Sequence, residues 1–94
     1  MPKGYVIITE VVKDQAAMAE YGKLAAKAMG GATLLAFDTK PTVVEGEWPA
    51  TQTVVLEFES VQAASEWYYS DAYQEAAKIR QGAAECNGVI LSGL

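Results

Sequence analysis

The sequence of 94 residues contains no histidine and only one cysteine, Cys86. Without histidine, the chain cannot build a Ser-His-Asp or Cys-His catalytic centre, or a zinc or haem site that needs its own imidazole. A single cysteine excludes a disulfide within the chain and favours a reducing compartment. Cys86 also has no basic residue close to it in sequence. We therefore expect an inert thiol, no metal and no other cofactor.

Basic residues and long apolar runs are also scarce. The chain has 7 basic against 12 acidic residues, a net charge of -5 that repels nucleic-acid phosphates and anionic lipids. No apolar run approaches the ~20 residues of a membrane span, and residues 1–4 lack the apolar region of a signal peptide. We expect a cytoplasmic protein with neither a nucleic-acid partner nor a membrane partner.

Length and composition are those of a packed globule. Hydrophobic residues make up 51% of the chain and charged residues 20%, which is too apolar for disorder. Domains usually contain ~100 to 150 residues, so residues 1–94 are expected to form a single domain.

Hydrophobic patterning predicts four strands and two helices in the order β-α-β-β-α-β. The strands are expected at Tyr5–Val12, Thr33–Phe37, Thr51–Glu59 and Val89–Leu91, with a loop over Asp38–Pro49 and a turn at Asn87-Gly88 before the last strand. The first helix is expected to begin after the N-cap Asp14 and to stop at Gly30-Gly31. The second helix is expected to begin after Ser60, to restart at Ser70-Asp71 and to continue to about Ala84. This order indicates an α+β, ferredoxin-like fold with two helices on one face of a four-stranded antiparallel sheet.

The strands are apolar at successive positions and not at alternate ones. Tyr5, Ile7 and Val11 lie on the opposite face from Val6, Ile8 and Val12, and both sets are apolar. Helices can cover only one face, and a monomer would normally leave the other one polar. A second copy of the chain is the simplest cover, so we predict a homodimer through the sheet face.

A series of landmarks runs along the chain in a fixed order. They are Lys3-Gly4-Tyr5, Asp14 with Tyr21, Gly30-Gly31, Glu45-Gly46-Glu47-Trp48, Val55–Ser60, Ala63-Ala64, Trp67-Tyr68, Ser70, Tyr73-Gln74 and Arg80–Ala83. In this order and spacing, the chain resembles the family "domain of unknown function 1330". That family is similar to the dimeric α/β-barrel superfamily, in which two ferredoxin-like subunits pack sheet to sheet.

The resemblance implies a fold and an assembly but no established reaction. Relatives in the superfamily include cofactor-free monooxygenases, lactone isomerases and haem enzymes, and a chain without histidine departs from the haem-ligating kind. The family commonly has an Arg near the end of the second strand, where this chain has Ala36-Phe37.

Six residues form the candidate site: Glu57 and Tyr73 as catalytic groups, and Trp67, Tyr68, Ser70 and Arg80 as substrate-binding groups. A helix that restarts at Ser70 exposes N–H groups that attract an anion, and Arg80 would add a permanent cation. A tyrosine could donate a proton or hold an oxyanion, and a buried Glu57 could act as a general base. The alternative is structural: Ser70 as a cap, Trp67 and Tyr73 as core, and Arg80 paired with Glu57.

Two functions follow from these alternatives. In the first, a pocket by the second helix binds a small anionic or carbonyl-bearing metabolite, with any catalysis being acid–base and independent of a cofactor. In the second, the chain is a dimerisation or binding module without turnover. Whether the protein is an enzyme stays open at this point, because function depends on sites and not on the fold.

Overall fold

The computed structural model describes residues 2–94, which form four strands and three α-helices. In chain order these are β1 (Gly4–Val12), α1 (Gln15–Lys27), β2 (Thr33–Asp38), β3 (Gln52–Phe58), α2 (Val61–Tyr68), α3 (Asp71–Ala83) and β4 (Ala84–Ser92). The strands form one sheet in the order β2-β3-β1-β4, and every neighbouring pair is antiparallel. The predicted α+β class and the four antiparallel strands are confirmed.

The prediction of two helices is wrong, because the second helical region is interrupted. The backbone N–H of Tyr69 still donates to Ser65, but the N–H of Ser70 donates to Trp67, which closes α2. The Ser70 side chain then accepts from the N–H of Tyr73 at 3.2 Å and caps α3. A cap needs an extended backbone, so the restart predicted at Ser70-Asp71 is present and divides the region into two separate helices.

The fourth strand begins earlier than predicted, and the expected turn at Asn87-Gly88 is wrong. β4 starts at Ala84, directly after α3, and Asn87 and Gly88 pair with residues of β1 within the sheet. The carbonyl of Ala83 accepts from the N–H groups of Lys13 and Asp14 at 2.8 and 3.0 Å. These bonds fix the end of α3 at the end of β1, so the chain enters the sheet at once.

The core lies between the helices and one face of the sheet. On β1 and β3 this face carries Val6, Ile8, Leu56 and Phe58, which pack against Ala64, Trp67, Tyr73, Ala76 and Ala77 of the helices. The start of β1 approaches the start of α2 so closely that a Cβ at Gly4 would overlap the backbone of Ser60. Glycine is therefore required at this position.

The opposite face of the sheet, called the open face below, is apolar. It carries Tyr5, Ile7, Val11, Val55, Val89 and Leu91 together with Glu57, by the alternation of side chains along paired strands. Half of the Val89 side chain and 44% of Leu91 are exposed. The molecule measures 36 × 33 × 16 Å, a flat shape with one helical layer and one sheet layer.

No helix in the part of the chain that the structure describes is long and apolar enough to cross a membrane.

Candidate functional site

A buried arginine lies in the helical layer. Arg80 belongs to the last turn of α3, and only 3% of its surface is exposed. Residues 2–94 form two ion pairs, Lys13–Glu85 and Lys78–Glu75, and neither includes Arg80. Its Nε atom is also buried and has no hydrogen-bond partner within these residues. The guanidinium is thus a buried cation without a carboxylate partner.

Two tyrosines contact each other beside this cation. The hydroxyl groups of Tyr21 on α1 and Tyr73 on α3 are hydrogen-bonded at 2.9 Å, and Arg80 lies 5.9 Å from the centre of the Tyr21 ring. Burial is the main cause that raises the pKa of Tyr21 far above its ordinary value, and the contact with Tyr73 adds to it. Tyr21 therefore stays protonated at neutral pH and serves as a hydrogen-bonding group, not as a base.

The surroundings of Arg80 keep it charged. Burial opposes the charge, but the nearby side chains of Tyr73, Cys86 and Tyr21 outweigh it and raise the pKa of Arg80 above its ordinary value. An arginine that cannot release its proton must be compensated by dipoles or by an anion.

A cavity of about 390 Å³ opens beside α3 on the helical side of β1 and β4. This Arg80 cavity is lined by Ile8, Tyr68, Tyr69, Arg80, Gln81 and Cys86, among others. Its walls combine apolar side chains with one permanent cation, which suits a small ligand that carries a negative or carbonyl oxygen.

A second cavity, of about 510 Å³, lies between α1 and the strands β2 and β3. This Glu10 cleft includes Glu10, Met18, Tyr21, Phe37, Gln52 and Trp67 in its lining. It exists because α1 packs against α3 and has no fully buried residue of its own, so the edge strand β2 is left uncovered. Ile8 lines both cavities and lies between them.

The predicted ligand-binding residues on α2 and α3 lie on the helical side, but several have structural hydrogen bonds. Ser70 donates to the carbonyl of Trp67 at 2.7 Å and accepts from the N–H of Tyr73, so its only donor is occupied. The Trp67 indole donates to the carbonyl of Ala28 at 2.8 Å and packs on Tyr73. Tyr68 and Arg80 line the Arg80 cavity, whereas Tyr73 is fully buried behind it.

Glu57 lies away from this group, on the open face of the sheet. Its carboxylate accepts a hydrogen bond from the hydroxyl of Tyr5 at 3.1 Å. That bond is the main cause that raises the pKa of Tyr5 above its ordinary value. The sheet separates Glu57 from Arg80, so the structure contains no pair between them and the predicted alternative of such a pair is wrong.

Sequence reasoning missed two side chains that line the cavities. Glu10 is 1% exposed and faces the helices, although a charged residue between Ile8 and Val12 suggested no core position. Its signal was the alternation itself, because Glu10 shares the face of Val6 and Ile8. Cys86 was expected to be isolated from basic residues, but the turn from α3 into β4 places it in the Arg80 cavity.

The acidic residues of the loop before β3 are exposed and do not gather into a metal site. Glu45 and Glu47 lie on the surface, and no group of three or more histidine, cysteine, aspartate or glutamate residues within positions 2–94 could hold a metal ion.

Known structures share this fold at low sequence identity. A protein of unknown function from Rhodopseudomonas palustris is 19% identical with a TM-score of 0.76, over 99% of this chain and 83% of the other. A dimeric ferredoxin-like protein of unknown function from Thermobifida fusca is 13% identical with a TM-score of 0.61, over 97% and 91% of the two chains. A candidate antibiotic biosynthesis monooxygenase from Caulobacter crescentus is 14% identical with a TM-score of 0.61, over 99% and 91%.

These likenesses establish the fold alone. No curated protein matches the sequence significantly. The family resemblance is confirmed, since the family described as Domain of unknown function (DUF1330) matches residues 3–94. The chain belongs to that family.

Proposed function

We propose that this protein binds a small anionic or carbonyl-bearing metabolite in the Arg80 cavity and acts as a homodimer. The observation that carries the ligand proposal is Arg80 itself. It is a cation with 3% exposure, it is in neither ion pair of the described residues, and it lines a cavity of about 390 Å³.

An anionic ligand would add to the compensation that Tyr73, Cys86 and Tyr21 provide, because Arg80 is in neither ion pair of the described residues. A buried charge without an opposite partner costs several kcal/mol, and a carboxylate or phosphate accepted by the guanidinium would recover much of that cost. The volume lies within the range of roughly 300 to 1,000 Å³ typical of small-molecule sites. Tyr68 and Tyr69 give the cavity aromatic walls, which favour a ligand with an apolar part.

Any turnover in this cavity would be acid–base chemistry without a cofactor. Tyr73, predicted as a catalytic group, does not line this cavity, since it is fully buried and its hydroxyl is bonded to Tyr21. Glu57 cannot serve as the base in this cavity, because it lies on the open face. The monooxygenase name of one structural neighbour fits such chemistry, but at 14% identity it supports the fold only.

The dimer is supported by the open face and by one structural neighbour. The face is mostly apolar and is not covered by the helices, and the structurally similar Thermobifida fusca protein is described as dimeric. The loop before β3 extends this surface, since the indole of Trp48 donates to Thr53 on the same face at 2.9 Å. Two such faces packed together would give the predicted dimeric barrel.

Ligand binding is tested with pyruvate, benzoate and phosphate as probes in a thermal-shift screen, followed by calorimetry. At least one probe should stabilise the wild type, and Arg80→Ala should abolish that effect while Arg80→Lys weakens it, because lysine lacks the planar fork. Lys78→Ala on the exposed side of α3 is the matched control and should bind as the wild type does.

The rival function is a dimeric module without a ligand. It is favoured by the structural hydrogen bonds of Ser70 and Trp67, which leave these residues little to offer a ligand. Under that function no probe stabilises the wild type, and this result would refute the ligand proposal.

A further inference from the structure

The Glu10 cleft has an unusual combination of lining groups. Its volume of about 510 Å³ is walled by apolar side chains of α1 and β2, and Leu34 and Phe37 on β2 remain more than half exposed. Contact of apolar side chains with water is unfavourable, so covering these side chains would stabilise the protein. The dimer contact proposed above covers the open face, so it leaves this cleft uncovered.

One carboxylate lies in this apolar lining. Glu10 is 1% exposed, and its Oε1 atom accepts a hydrogen bond from the side-chain amide of Gln52 at 2.6 Å. The amide supplies a dipole but no charge. Glu10 is in neither ion pair of residues 2–94, although it acts on the pKa of Tyr21 in the opposite sense to the buried cation Arg80. A carboxylate buried without an ion pair gains from a cationic ligand placed against it.

Aromatic rings surround the same space. Tyr21, Phe37 and Trp67 contribute to the lining, and the Tyr21 hydroxyl stays protonated because burial raises its pKa. The faces of such rings attract organic ammonium groups, and the attraction grows when water is excluded. A carboxylate and aromatic rings in one apolar cleft therefore complement a positively charged, partly apolar ligand.

We propose that the Glu10 cleft is a second binding site, for an organic amine that carries an apolar or aromatic group. The ammonium group lies against Glu10, and the apolar part lies between α1 and β2. This site is separate from the Arg80 cavity on the other side of Ile8. The two sites select opposite charges, because one contains a permanent cation and the other a carboxylate.

The proposal is tested by calorimetry of the full chain at pH 7 with two probes of similar shape that carry no negative charge: phenethylamine and 2-phenylethanol. The amine should bind at least about tenfold more tightly than the alcohol, a difference of about 1.4 kcal/mol. Glu10→Gln should remove this preference. Glu20→Gln, which makes the same charge change on the exposed side of α1, should retain it.

A second variant covers the case in which Glu10→Gln does not fold, as judged by circular dichroism. Phe37 is 56% exposed, so Phe37→Ala should fold normally and weaken the amine severalfold by removing one ring of the cleft. The proposal would be overturned by equal binding of amine and alcohol, by no binding of either probe, or by an amine affinity that Glu10→Gln or Phe37→Ala leaves unchanged. None of these results bears on the Arg80 cavity.

Discussion

Neighbouring residues of β1 face very different surroundings. Ile8 points into the helical layer and is 3% exposed, whereas Ile7 points to the open face and remains partly exposed. The space between the sheet and the helices contains the buried charges Glu10 of β1 and Arg80 of α3, while the open face is mostly apolar. In a monomer, the charged side chains would be expected on the open face and the apolar ones between the sheet and the helices.

This contrast assigns different roles to the two faces. Charges buried between the sheet and the helices outside any ion pair suit charged ligands, since burial of a charge costs free energy unless an opposite charge compensates it. An apolar face without buried charges suits another protein surface, because it gains free energy simply by losing contact with water. Four predictions test the contrast, and the first two substitute adjacent residues of β1.

The largest effect is expected from Ile8→Asp. Ile8 packs in the core between the sheet and the helices, so the substitution removes a buried side chain and introduces an unpaired carboxylate. We expect a loss of roughly 4 kcal/mol or more, enough to unfold much of a domain this small. Circular dichroism at 25 °C measures it; a native spectrum and an unchanged thermal midpoint would contradict the assignment of Ile8 to the core.

Ile7→Asp should have a smaller effect on folding and a large one on assembly. The carboxylate lies on the open face, where it stays hydrated in a monomer but would be buried in a face-to-face dimer. We expect a folded monomer by light scattering, with a thermal midpoint between those of the wild type and Ile8→Asp. A variant that remains dimeric would place the interface elsewhere.

Tyr73→Phe should cost less than either aspartate substitution. It removes the hydrogen bond to Tyr21 and leaves that hydroxyl buried without its partner. The expected loss is about 1 kcal/mol, which corresponds to a fall of roughly 4 to 8 °C in the thermal midpoint of a domain this size. Calorimetric melting checks it, and Tyr68→Phe is the control, since no hydrogen bond of the Tyr68 hydroxyl is present among residues 2–94.

The smallest effect is expected at the surface ion pair of Lys13 and Glu85, where the N–O distance is 2.8 Å. Lys13 lowers the pKa of Glu85 below its ordinary value. The pair therefore stabilises the fold at any pH above the ordinary pKa of a glutamate, and this stabilisation is lost as the pH falls through the lowered pKa of Glu85. Solvent screens both groups, so Glu85→Gln should leave the thermal midpoint at pH 7 almost unchanged. A midpoint shift as large as that of Tyr73→Phe would contradict this.

Local chemistry was predictable from the sequence, whereas contacts across the fold were not. Asp14, Ser60 and Ser70 cap helices as expected, because capping depends on a side chain and the N–H groups of the following turn. The Asn87-Gly88 turn failed for the opposite reason: pairing with β1 outweighed the local preference of this dipeptide.

The candidate site shows the same division. Helical spacing in the sequence identified Tyr73 and Arg80, which lie on α3, and the aromatic pair Trp67-Tyr68, which lies on α2. It could not show that Glu57 and Arg80 lie on opposite sides of the sheet, because that follows from strand register. Glu10 was missed although alternation along β1 places it on the face of Val6 and Ile8, because a charged residue is not expected in a core.

The central claim is that the open face is covered by a second copy of the chain, and the mass of the wild type in solution tests it most directly. Sedimentation equilibrium at micromolar concentration and pH 7 should give a species of twice the 10.0 kDa chain mass. A single species of 10.0 kDa across that concentration range would contradict the claim.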